Sequence, residues 1–364
     1  MDKMIESFNE FQLPEGLLKA INVMGYKQPT PIQAQSIPVG LLNRDLIASA
    51  QTGTGKTAAF CIPIVAKLEK NQAKSALILV PTREIATQIG RVLEQLTRFL
   101  PKLATATVVG GMPMPPQIQQ LAKKPRIIIA TPGRLVDHLK RGSISLFKTE
   151  TLVLDEADRM LDMGFAAQLN EILRFLPARR QTLMFSATIP MDIKKLAGKY
   201  LKDPLQVSAG PVSTPVEEIK QSAIQTTQAQ KNVVLLSELK TREGSVLIFA
   251  RTKYRTDRLA KQLTAAGLQV NRIHGGRSQS QRNSAIDGFR HGKFRILVAT
   301  DIAARGIDIP HIAHVINYDL PKCMEDYVHR IGRTARAGAA GNALSLVSVE
   351  ERGTWNDISR RFTT

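Results

Sequence analysis

Two kinds of hydrophobic pattern alternate along the first half of the chain. Short apolar runs of four or five residues, rich in β-branched side chains, predict buried strands. The segments between them space apolar residues three or four positions apart and predict helices, as in residues 85–99 and 134–140. This alternation is typical of an α/β domain with a parallel sheet and crossover helices. The predicted strands are residues 45–49, 76–80, 105–109, 126–130, 151–154 and 181–185.

The same pattern starts again in the second half of the chain. Residues 207–215 between the halves are rich in Gly, Pro, Ser and Thr, which favours a linker. We therefore predict two α/β domains with parallel sheets, residues 1–206 and 218–364, joined by a flexible linker at 207–217. The length of 364 residues agrees, because one ordinary core rarely serves so long a chain. The predicted strands of the second domain are residues 245–249, 270–273, 295–299, 314–318 and 342–347.

The chain is strongly basic, with a formal net charge of +19 and a pI of about 10.1. Such an excess can serve solubility alone, but in a globular protein it more often indicates a polyanionic partner. Aromatic residues make up only 5% of the chain, which argues against base stacking as the main mode of binding. The composition therefore favours binding to a phosphate backbone.

No apolar run of about eighteen residues occurs, so we expect no membrane span. The first residues lack the charged and apolar regions of a signal peptide. Cys61 and Cys323 lie in different halves and form no metal-ligand spacing. We expect a cytoplasmic protein in a reducing environment.

Residues 50–57 combine glycines with a Lys-Thr pair directly after a predicted strand. The glycines let backbone N–H groups turn toward phosphate oxygens, and a helix starting near Gly55 adds the positive end of its dipole. Lys56 would contact the β- and γ-phosphates, and Thr57 would offer a hydroxyl to Mg²⁺. A glycine-rich turn alone is common, whereas the complete loop in this setting is specific. Ala50 stands where the pattern usually begins with Gly, so its φ must be negative.

Asp155, Glu156 and Asp158 follow the predicted strand 151–154. Ligands of open α/β sheets bind at this carboxyl edge. Asp155 would hold Mg²⁺, and Glu156 would orient and polarise the attacking water. The alternative is that the acids cap the next helix, which accounts for one carboxylate but not for two opposite a phosphate loop. Together, the acidic segment and the loop predict hydrolysis of a magnesium-bound nucleotide.

With these motifs in place, the chain resembles the DEAD-box ATP-dependent RNA helicases over essentially its whole length. The resemblance implies two RecA-like domains with ATP and Mg²⁺ as ligands. It implies that Tyr26 stacks on adenine, that Gln33 hydrogen-bonds the adenine edge, and that Phe8 is the upstream aromatic. Without the surrounding motif, Gln33 would be interpreted as an ordinary surface glutamine. The implied contacts within the phosphate loop are Gln51, Thr52, Gly53, Thr54, Gly55, Lys56 and Thr57.

Ser186 and Thr188 follow the predicted strand 181–185. The resemblance implies that they couple the nucleotide state to nucleic-acid binding through hydrogen bonds to the acidic motif. We assign that contact to Asp158. An ordinary Ser/Thr turn or helix cap is the alternative.

Residues 329–336 resemble the arginine-finger motif of the family. Arg333 and Arg336 are three residues apart, or one helical turn, and would face a single γ-phosphate. Such a finger accelerates hydrolysis by ~10³–10⁵ in related enzymes. The alternative is a solvated basic helix face, and His329 fits either phosphate coupling or a buried structural position. The resemblance assigns two further residues to the nucleotide: Gly306 and Asp308.

Glycines, hydroxyls and arginines follow several predicted strands of both domains. Such groups donate to a row of phosphates, and none is arranged to read base edges. Taken singly, each is more often a turn residue. The resemblance assigns them to the backbone and 2′-hydroxyls of single-stranded and duplex RNA, without sequence specificity. They are Pro81, Arg83, Gly110, Gly111, Thr131, Arg134, Arg251, Thr252, Gly275, Gln279 and Thr300.

Four positions depart from the usual family pattern. Ile85 replaces Leu, which is conservative, and Ala335 replaces Gly, which we expect to leave the arginines in place. Gly276 replaces Asp and Arg277 replaces an apolar residue. The last two remove an acid and add a base beside the proposed RNA contacts.

We expect ATP and RNA together to close the two domains of a monomeric core and to separate strands locally, without processive movement. RNA–protein complexes would be remodelled in the same way. The alternatives are a DNA-translocating helicase or another phosphate-loop ATPase, and an ATP-gated RNA clamp. A nucleotide kinase is a further alternative. It is disfavoured because it does not account for a second complete α/β half that carries arginines.

Overall fold

The computed structural model describes residues 5–50, 54–100, 103–187, 189, 191–208, 219–304, 312–321, 323–335 and 341–360. The chain divides into two compact units, Met1–Val212 and Ser213–Thr364. Among the described helices, none combines the length and apolar character needed to cross a membrane.

The first unit contains a parallel sheet of seven described strands in the order β3-β4-β2-β5-β6-β1-β7. The strands are β1 (Leu46–Ser49), β2 (Ser75–Leu79), β3 (Thr105–Val108), β4 (Ile127–Ala130), β5 (Thr149–Leu154), β6 (Gln181–Ser186) and β7 (Leu205–Ser208). The helices are α1 (Glu15–Val23), α2 (Pro31–Leu41), α3 (Lys56–Lys70), α4 (Arg83–Thr97), α5 (Met114–Ala122), α6 (Pro132–Lys140), α7 (Ala157–Asp162), α8 (Ala166–Leu173) and α9 (Met191–Tyr200), after a 3₁₀ turn at Phe8–Phe11.

Helices cover both faces of this sheet, which is why its central strands are apolar throughout. Successive side chains of a strand point to opposite faces. In β2, Ala76 and Ile78 therefore belong to one hydrophobic core, while Leu77 and Leu79 belong to the other.

The second unit contains a parallel sheet of six described strands in the order β10-β11-β9-β12-β13-β8. The strands are β8 (Ile219–Gln225), β9 (Val246–Phe249), β10 (Val270–Ile273), β11 (Ile296–Ala299), β12 (His314–Asn317) and β13 (Gly341–Val347). The helices are α10 (Lys231–Thr241), α11 (Lys253–Ala265), α12 (Gln279–Arg290), α13 (Asp301–Ala304), α14 (Met324–Ile331) and α15 (Arg352–Ser359), with a 3₁₀ turn at Val349–Glu351.

Every strand predicted from the hydrophobic pattern is present, within two residues at each end. Two edge strands, β7 and β8, were not predicted. Val207 and Ser208, which we expected to begin the linker, pair with β1 as the end of β7. The rest of the expected linker lies outside the described residues.

Candidate functional site

The motif residues of the first unit follow the carboxyl ends of its strands. Ala50 follows β1, Asp155 follows β5 and Ala187 follows β6, and these strands are neighbours in the order β5-β6-β1. The segments after β3, β4 and β2 occupy the other half of the same edge. The topology therefore gathers the expected nucleotide residues at one place and the expected RNA residues beside it.

The phosphate loop leads into the N-terminus of α3. Gly55 is its N-cap, with a left-handed φ of 94°, and among the described residues no side chain caps the first turn. The first-turn N–H groups are therefore available to an anion. Lys56 is only 7% exposed, and its Nζ donates to the carbonyl of Ala50 at 2.8 Å. Thr57 is half-buried on the same turn, and Ala50 avoids positive φ, as expected.

Gln33 is buried and joins α2 to the phosphate loop. Its Oε1 accepts from the Thr30 N–H at 3.0 Å, and its Nε2 donates to the Gly55 carbonyl at 3.2 Å. A side chain at Gly55 would collide with this amide. The surface-glutamine interpretation is wrong, because Gln33 is 4% exposed. One amide hydrogen and one acceptor position are left for a ligand.

Two aromatic rings lie side by side near the start of the chain. The rings of Phe8 and Tyr26 are stacked, with centroids 6.2 Å apart and planes at 26°. Ser7 and Glu10 form a capping box that fixes the 3₁₀ turn carrying Phe8. Burial raises the pKa of Tyr26, which keeps its hydroxyl neutral.

The acidic segment bends sharply at the end of β5. Glu156 has φ 53° and ψ 52°, a left-handed conformation that costs about 1–2 kcal/mol for a residue with a Cβ. Its side chain does not cap α7, so the capping alternative fails for this acid. Instead, Arg159 Nη1 donates to Glu156 Oε2 at 2.9 Å. Strain of this kind is found at functional sites when the surroundings hold it in place.

Asp158 joins the acidic segment to the end of β6. Its Oδ2 accepts from the Ala187 N–H at 3.0 Å, and its own N–H donates to Ser186 Oγ at 3.3 Å. Its Oδ1 accepts from the Arg159 N–H at 2.9 Å. Since Ser186 is buried, the two segments are held as one unit.

The donor set at this edge suits a magnesium-bound nucleotide. Burial raises the pKa of Asp155 to about 7, against the lowering effect of Lys56, so a nearby cation would favour the ionised carboxylate. Within the described residues, no group of three or more His, Cys, Asp or Glu side chains could hold a metal. Mg²⁺ needs no such cage, because one or two carboxylates with substrate phosphates and water suffice. Asp155 and the Thr57 hydroxyl remain the oxygen donors that the sequence predicts for it.

The other half of the edge carries glycines, a threonine and two arginines that can donate hydrogen bonds. Arg83, on the first turn of α4, lies so close to Gly111 that any side chain there would overlap its guanidinium. The Gly110 N–H donates to Thr131 Oγ1 at 3.3 Å, and Arg134 Nη1 donates to the Met112 carbonyl at 2.9 Å. The segments after β2, β3 and β4 therefore form one surface. Pro81 is buried at its base.

The second sheet repeats this arrangement at its own carboxyl edge. Arg251 and Thr252 follow β9, Gly275 follows β10 and Thr300 follows β11, and these strands are neighbours. Thr252 caps α11 by accepting from the Arg255 N–H at 3.2 Å. Arg251 and Thr252 are exposed.

Arg330 and Arg333 take different roles at the end of α14. Arg330 binds both carboxylate oxygens of Asp301, at 2.6 and 2.8 Å, and donates to the Asp319 carbonyl at 2.6 Å. Arg333 is 5% exposed, and its Nε donates to the carbonyl of the half-buried His329 at 3.3 Å. Arg330 therefore holds the segment that presents Arg333.

The expectation that Arg333 and Arg336 share one helical turn is wrong. Helix α14 ends at Ile331, and Arg333 lies in the turn beyond it. Ala335, where the family usually has Gly, adopts the left-handed φ of 53°. Residues 332–335 therefore do not continue the helix. Seven expected site residues lie outside the described part of the chain: Gln51, Thr52, Gly53, Thr188, Gly306, Asp308 and Arg336. For Gln279, the side chain is also outside it.

Comparison with known proteins decides the family. Residues 30–196 match the model described as DEAD/DEAH box helicase, and residues 228–338 match the helicase conserved C-terminal domain. The chain is 43% identical over 356 residues to the DEAD-box ATP-dependent RNA helicase CshA of Geobacillus kaustophilus, covering 97% of this chain and 76% of that protein. The chain belongs to the DEAD-box ATP-dependent RNA helicases.

Solved helicases share its architecture. S. cerevisiae Dbp5 bound to RNA and ADP BeF3 is 34% identical, with a TM-score of 0.86 over 98% of this chain and 92% of that one. Mss116p bound to ssRNA and AMP-PNP is 31% identical, with a TM-score of 0.90 over 100% of this chain and 78% of that one. The expected fold of two RecA-like domains and the expected enzyme class are confirmed.

One structural feature of this DEAD-box helicase was missed from the sequence. Lys231 is completely buried in the second unit, where its Nζ donates to Glu351 Oε2 at 2.6 Å and to the Tyr318 carbonyl at 2.6 Å. Burial alone would raise the pKa of Glu351, but the Lys231 hydrogen bond lowers it below its ordinary value. Arg251 Nη2 reaches the other oxygen of Glu351 at 2.9 Å. Asp319 Oδ2 accepts from the Arg251 N–H at 2.9 Å.

This buried cluster orients Arg251, one of the expected RNA contacts. A signal for it was present in the sequence. A lysine at the first position of a helix opposes the helix dipole, and a nearby carboxylate offsets that cost.

Gln117 has a comparable role in the first unit, where it is buried beneath the Gly110–Gly111 turn. Its side chain accepts from the Val109 N–H at 3.2 Å and donates to the Val109 carbonyl at 3.1 Å. It also donates to the Pro113 carbonyl at 3.2 Å. No periodic pattern identifies a glutamine of this kind, because its partners are backbone groups.

Proposed function

We propose that this protein hydrolyses ATP in an RNA-stimulated reaction and uses the resulting domain closure and reopening to separate or remodel RNA locally. The observation that carries the proposal is the contact of Asp158 with Ser186 and Ala187. It joins the acidic segment to the neighbouring strand end, at the edge that also carries the RNA-facing donors. Binding at one half of that edge can therefore affect the other.

The proposed nucleotide site is built mainly on the first unit. Tyr26 and Gln33 contact the adenine, Lys56 and the first turn of α3 bind the phosphates, and Glu156 orients the attacking water. Mg²⁺, held by Thr57 and Asp155, would neutralise charge that develops on the phosphate oxygens. The further nucleotide contacts that we propose are Phe8, Gln51, Thr52, Gly53, Thr54, Gly55, Gly306 and Asp308.

Arg333 and Arg336 of the second unit are proposed to complete this site. A guanidinium stabilises the charge of a transferring phosphoryl group in the transition state. Turnover would therefore require domain closure, with Thr188 and His329 coupling the nucleotide to the RNA. We place the domain boundary between β7 and β8, within 209–218.

The proposed RNA contacts are the donors at the carboxyl edges of both sheets. They contact phosphates and 2′-hydroxyls, so binding is independent of sequence and accepts single strands and duplexes. A strand held in a bent path cannot stay paired, which explains local and non-processive unwinding. Dbp5 and Mss116p, solved with RNA and nucleotide analogues, support this assignment.

We also infer a monomeric core in the cytoplasm. The sequence has only two cysteines, buried Cys61 and exposed Cys323, and they lie in different units, which fits a reducing compartment.

A strand-displacement experiment tests the proposed function. A short fluorescent RNA duplex is incubated with the protein and ATP, a non-hydrolysable ATP analogue, or no nucleotide. We expect multiple rounds of displacement only with ATP. Equal displacement of a duplex made entirely of DNA would favour the DNA helicase. ATP-dependent retention of RNA without turnover would favour the clamp.

A further inference from the structure

An exposed aromatic ring borders the carboxyl edge of the second sheet. Tyr254 lies on the first turn of α11 and is 75% exposed. The Nζ of Lys253 lies 5.1 Å from the centroid of its ring. Both follow Arg251 and Thr252 at the end of β9, so an apolar ring with a cation over it adjoins the proposed RNA contacts.

Lys253 connects this ring to the loop after β10. Its Cδ lies 3.7 Å from the position that a Cβ at Gly276 would occupy. The Gly276 N–H donates to His274 Nδ1 at 3.2 Å, and the Arg277 N–H donates to the His274 carbonyl at 3.1 Å. Lys253 thus adjoins both Tyr254 and the turn that carries Gly276 and Arg277, and we call these four residues the Tyr254 patch.

The cations of the Tyr254 patch are not neutralised by the acids around it. Asp257 binds Arg272 and His274, and Asp319 Oδ1 binds Arg255 Nη2 at 3.1 Å. No carboxylate within the described ranges forms an ion pair with Lys253 or Arg277. The Nε of Arg277 is buried, and no described group accepts from it. The patch thus offers positive charge to an external anion.

We propose that the Tyr254 patch is a nucleotide subsite for single-stranded RNA, next to the backbone contacts at the sheet edge. One base stacks on Tyr254, and its phosphate contacts Lys253 and Arg277. Stacking on an aromatic ring accepts every base, so the subsite adds affinity without sequence preference. Gly276 is essential to the subsite, because the Asp that is usual at that position would place a carboxylate beside Lys253.

The subsite rests on the proposed function and predicts a specific loss of RNA affinity. The probe is a fluorescent single-stranded oligouridylate, and its Kd is measured by anisotropy with Mg²⁺ and a non-hydrolysable ATP analogue. Tyr254→Ala should weaken binding by about fivefold to a hundredfold, the range for one stacked base. Tyr254→Phe should retain most of the affinity, because the ring remains.

The charged half of the subsite has a separate readout. Arg277→Ala should make the slope of log K against log salt shallower by about 0.7, the value for one phosphate contact on a single strand. Gly276→Asp should weaken binding and also make the slope shallower, because the new carboxylate competes for Lys253.

Two control variants match these changes in size and charge. Phe147→Ala removes an 80% exposed ring just before β5. This ring lies at the amino ends of the strands of the first sheet, away from the carboxyl edge that carries the proposed sites. Gly198→Asp adds the same charge on α9 of the first unit. This part of α9 lies near the start of β6, because Arg180 Nη2 donates to the Tyr200 carbonyl. Nothing lies within 4 Å of a Cβ at position 198. Both controls should bind RNA as the unaltered protein does.

The outcomes separate the subsite from the proposed function. Wild-type affinity in Tyr254→Ala, or an equal loss in Phe147→Ala, would refute the subsite. If RNA also fails to stimulate ATP hydrolysis by the unaltered protein, the proposed function fails with it. If stimulation is intact, only the subsite is rejected.

Discussion

Arg159 Nη1 donates to Glu156 Oε2 at 2.9 Å, and both side chains are largely buried. The backbone of Glu156 is left-handed, and the ion pair fixes the direction of its side chain. The proposed catalytic carboxylate can thereby be oriented toward a water molecule. The same arginine also donates from its backbone to Asp158. The carboxylate proposed for catalysis and the one proposed for coupling are thus positioned by one residue.

Glu156→Gln should abolish turnover while leaving ATP and RNA binding measurable. The amide keeps the size of the side chain and can still accept from Arg159, but it cannot take a proton from water. Loss of a general base lowers kcat by about 10²–10⁴. Single-turnover hydrolysis measures the step, and Glu69→Gln on the exposed end of α3 is the control. A rate near that of the unaltered protein would refute the assigned role.

Lys231→Met should destabilise the second unit by about 3–5 kcal/mol, since it removes the one fully buried cation of this cluster and leaves Glu351 and Asp319 with partly exposed arginines only. Urea denaturation of the full chain measures this change. The matched control is Lys195→Met, which breaks an exposed pair with Asp192 at 3.6 Å and should have little effect. Equal effects of the two substitutions would contradict the buried network.

Lys67 should give the first unit a pH-dependent stability. Burial lowers the pKa of Lys67 from 10.5 to about 8, although its Nζ donates to Thr151 and Gln181. Between these pKa values the unfolded chain binds more protons, so the free energy of unfolding rises with pH. The contribution is about 2 kcal/mol between pH 8 and pH 10.

Lys67→Met removes this contribution while the tyrosines still titrate in both proteins. The quantity to compare is therefore the difference in unfolding free energy between the two proteins, measured across that pH range. A difference that stays constant with pH would show that the Lys67 pKa is not lowered.

Ala335→Gly should stabilise the second unit by about 0.5–1 kcal/mol. The left-handed φ of 53° strains a residue with a Cβ, and glycine relieves that strain at some cost in unfolded-state entropy. Ala266→Gly is the control: Ala266 directly follows α11 with a negative φ of −82°, so glycine relieves no strain there and should lower the stability. The midpoints of chemical denaturation of the two variants measure the change in stability. Destabilisation by both substitutions would show that the backbone at Ala335 is not strained.

Much of the fold follows from the hydrophobic pattern, because central strands of a parallel sheet are buried on both faces. The exceptions are β7 and β8, which the hydrophobic pattern does not predict. In β8, only Ile219 is buried, and the rest of the strand is partly or fully exposed. In β7 only Val207 is buried, so neither of these two edge strands contains the apolar run that identifies a strand.

Part of the candidate site could likewise be predicted from the sequence, and part could not. The order of motifs predicts which strand ends carry Asp155, Lys56 and Arg83, since topology alone brings those ends together. It does not predict that Gln33 holds the phosphate loop through Gly55, or that α14 ends before Arg333. Those features depend on hydrogen-bond partners distant in the sequence and on a backbone conformation that the residue types alone do not specify.

We propose that RNA promotes a domain closure that brings Arg333 to a nucleotide bound at Lys56 and Glu156. The rate of ATP hydrolysis, measured with and without single-stranded RNA, tests this proposal. Steady-state turnover at saturating ATP and Mg²⁺ should therefore rise several-fold when oligouridylate is added, and Arg333→Ala should lose most of that increase. Equal rates with and without RNA would contradict the account.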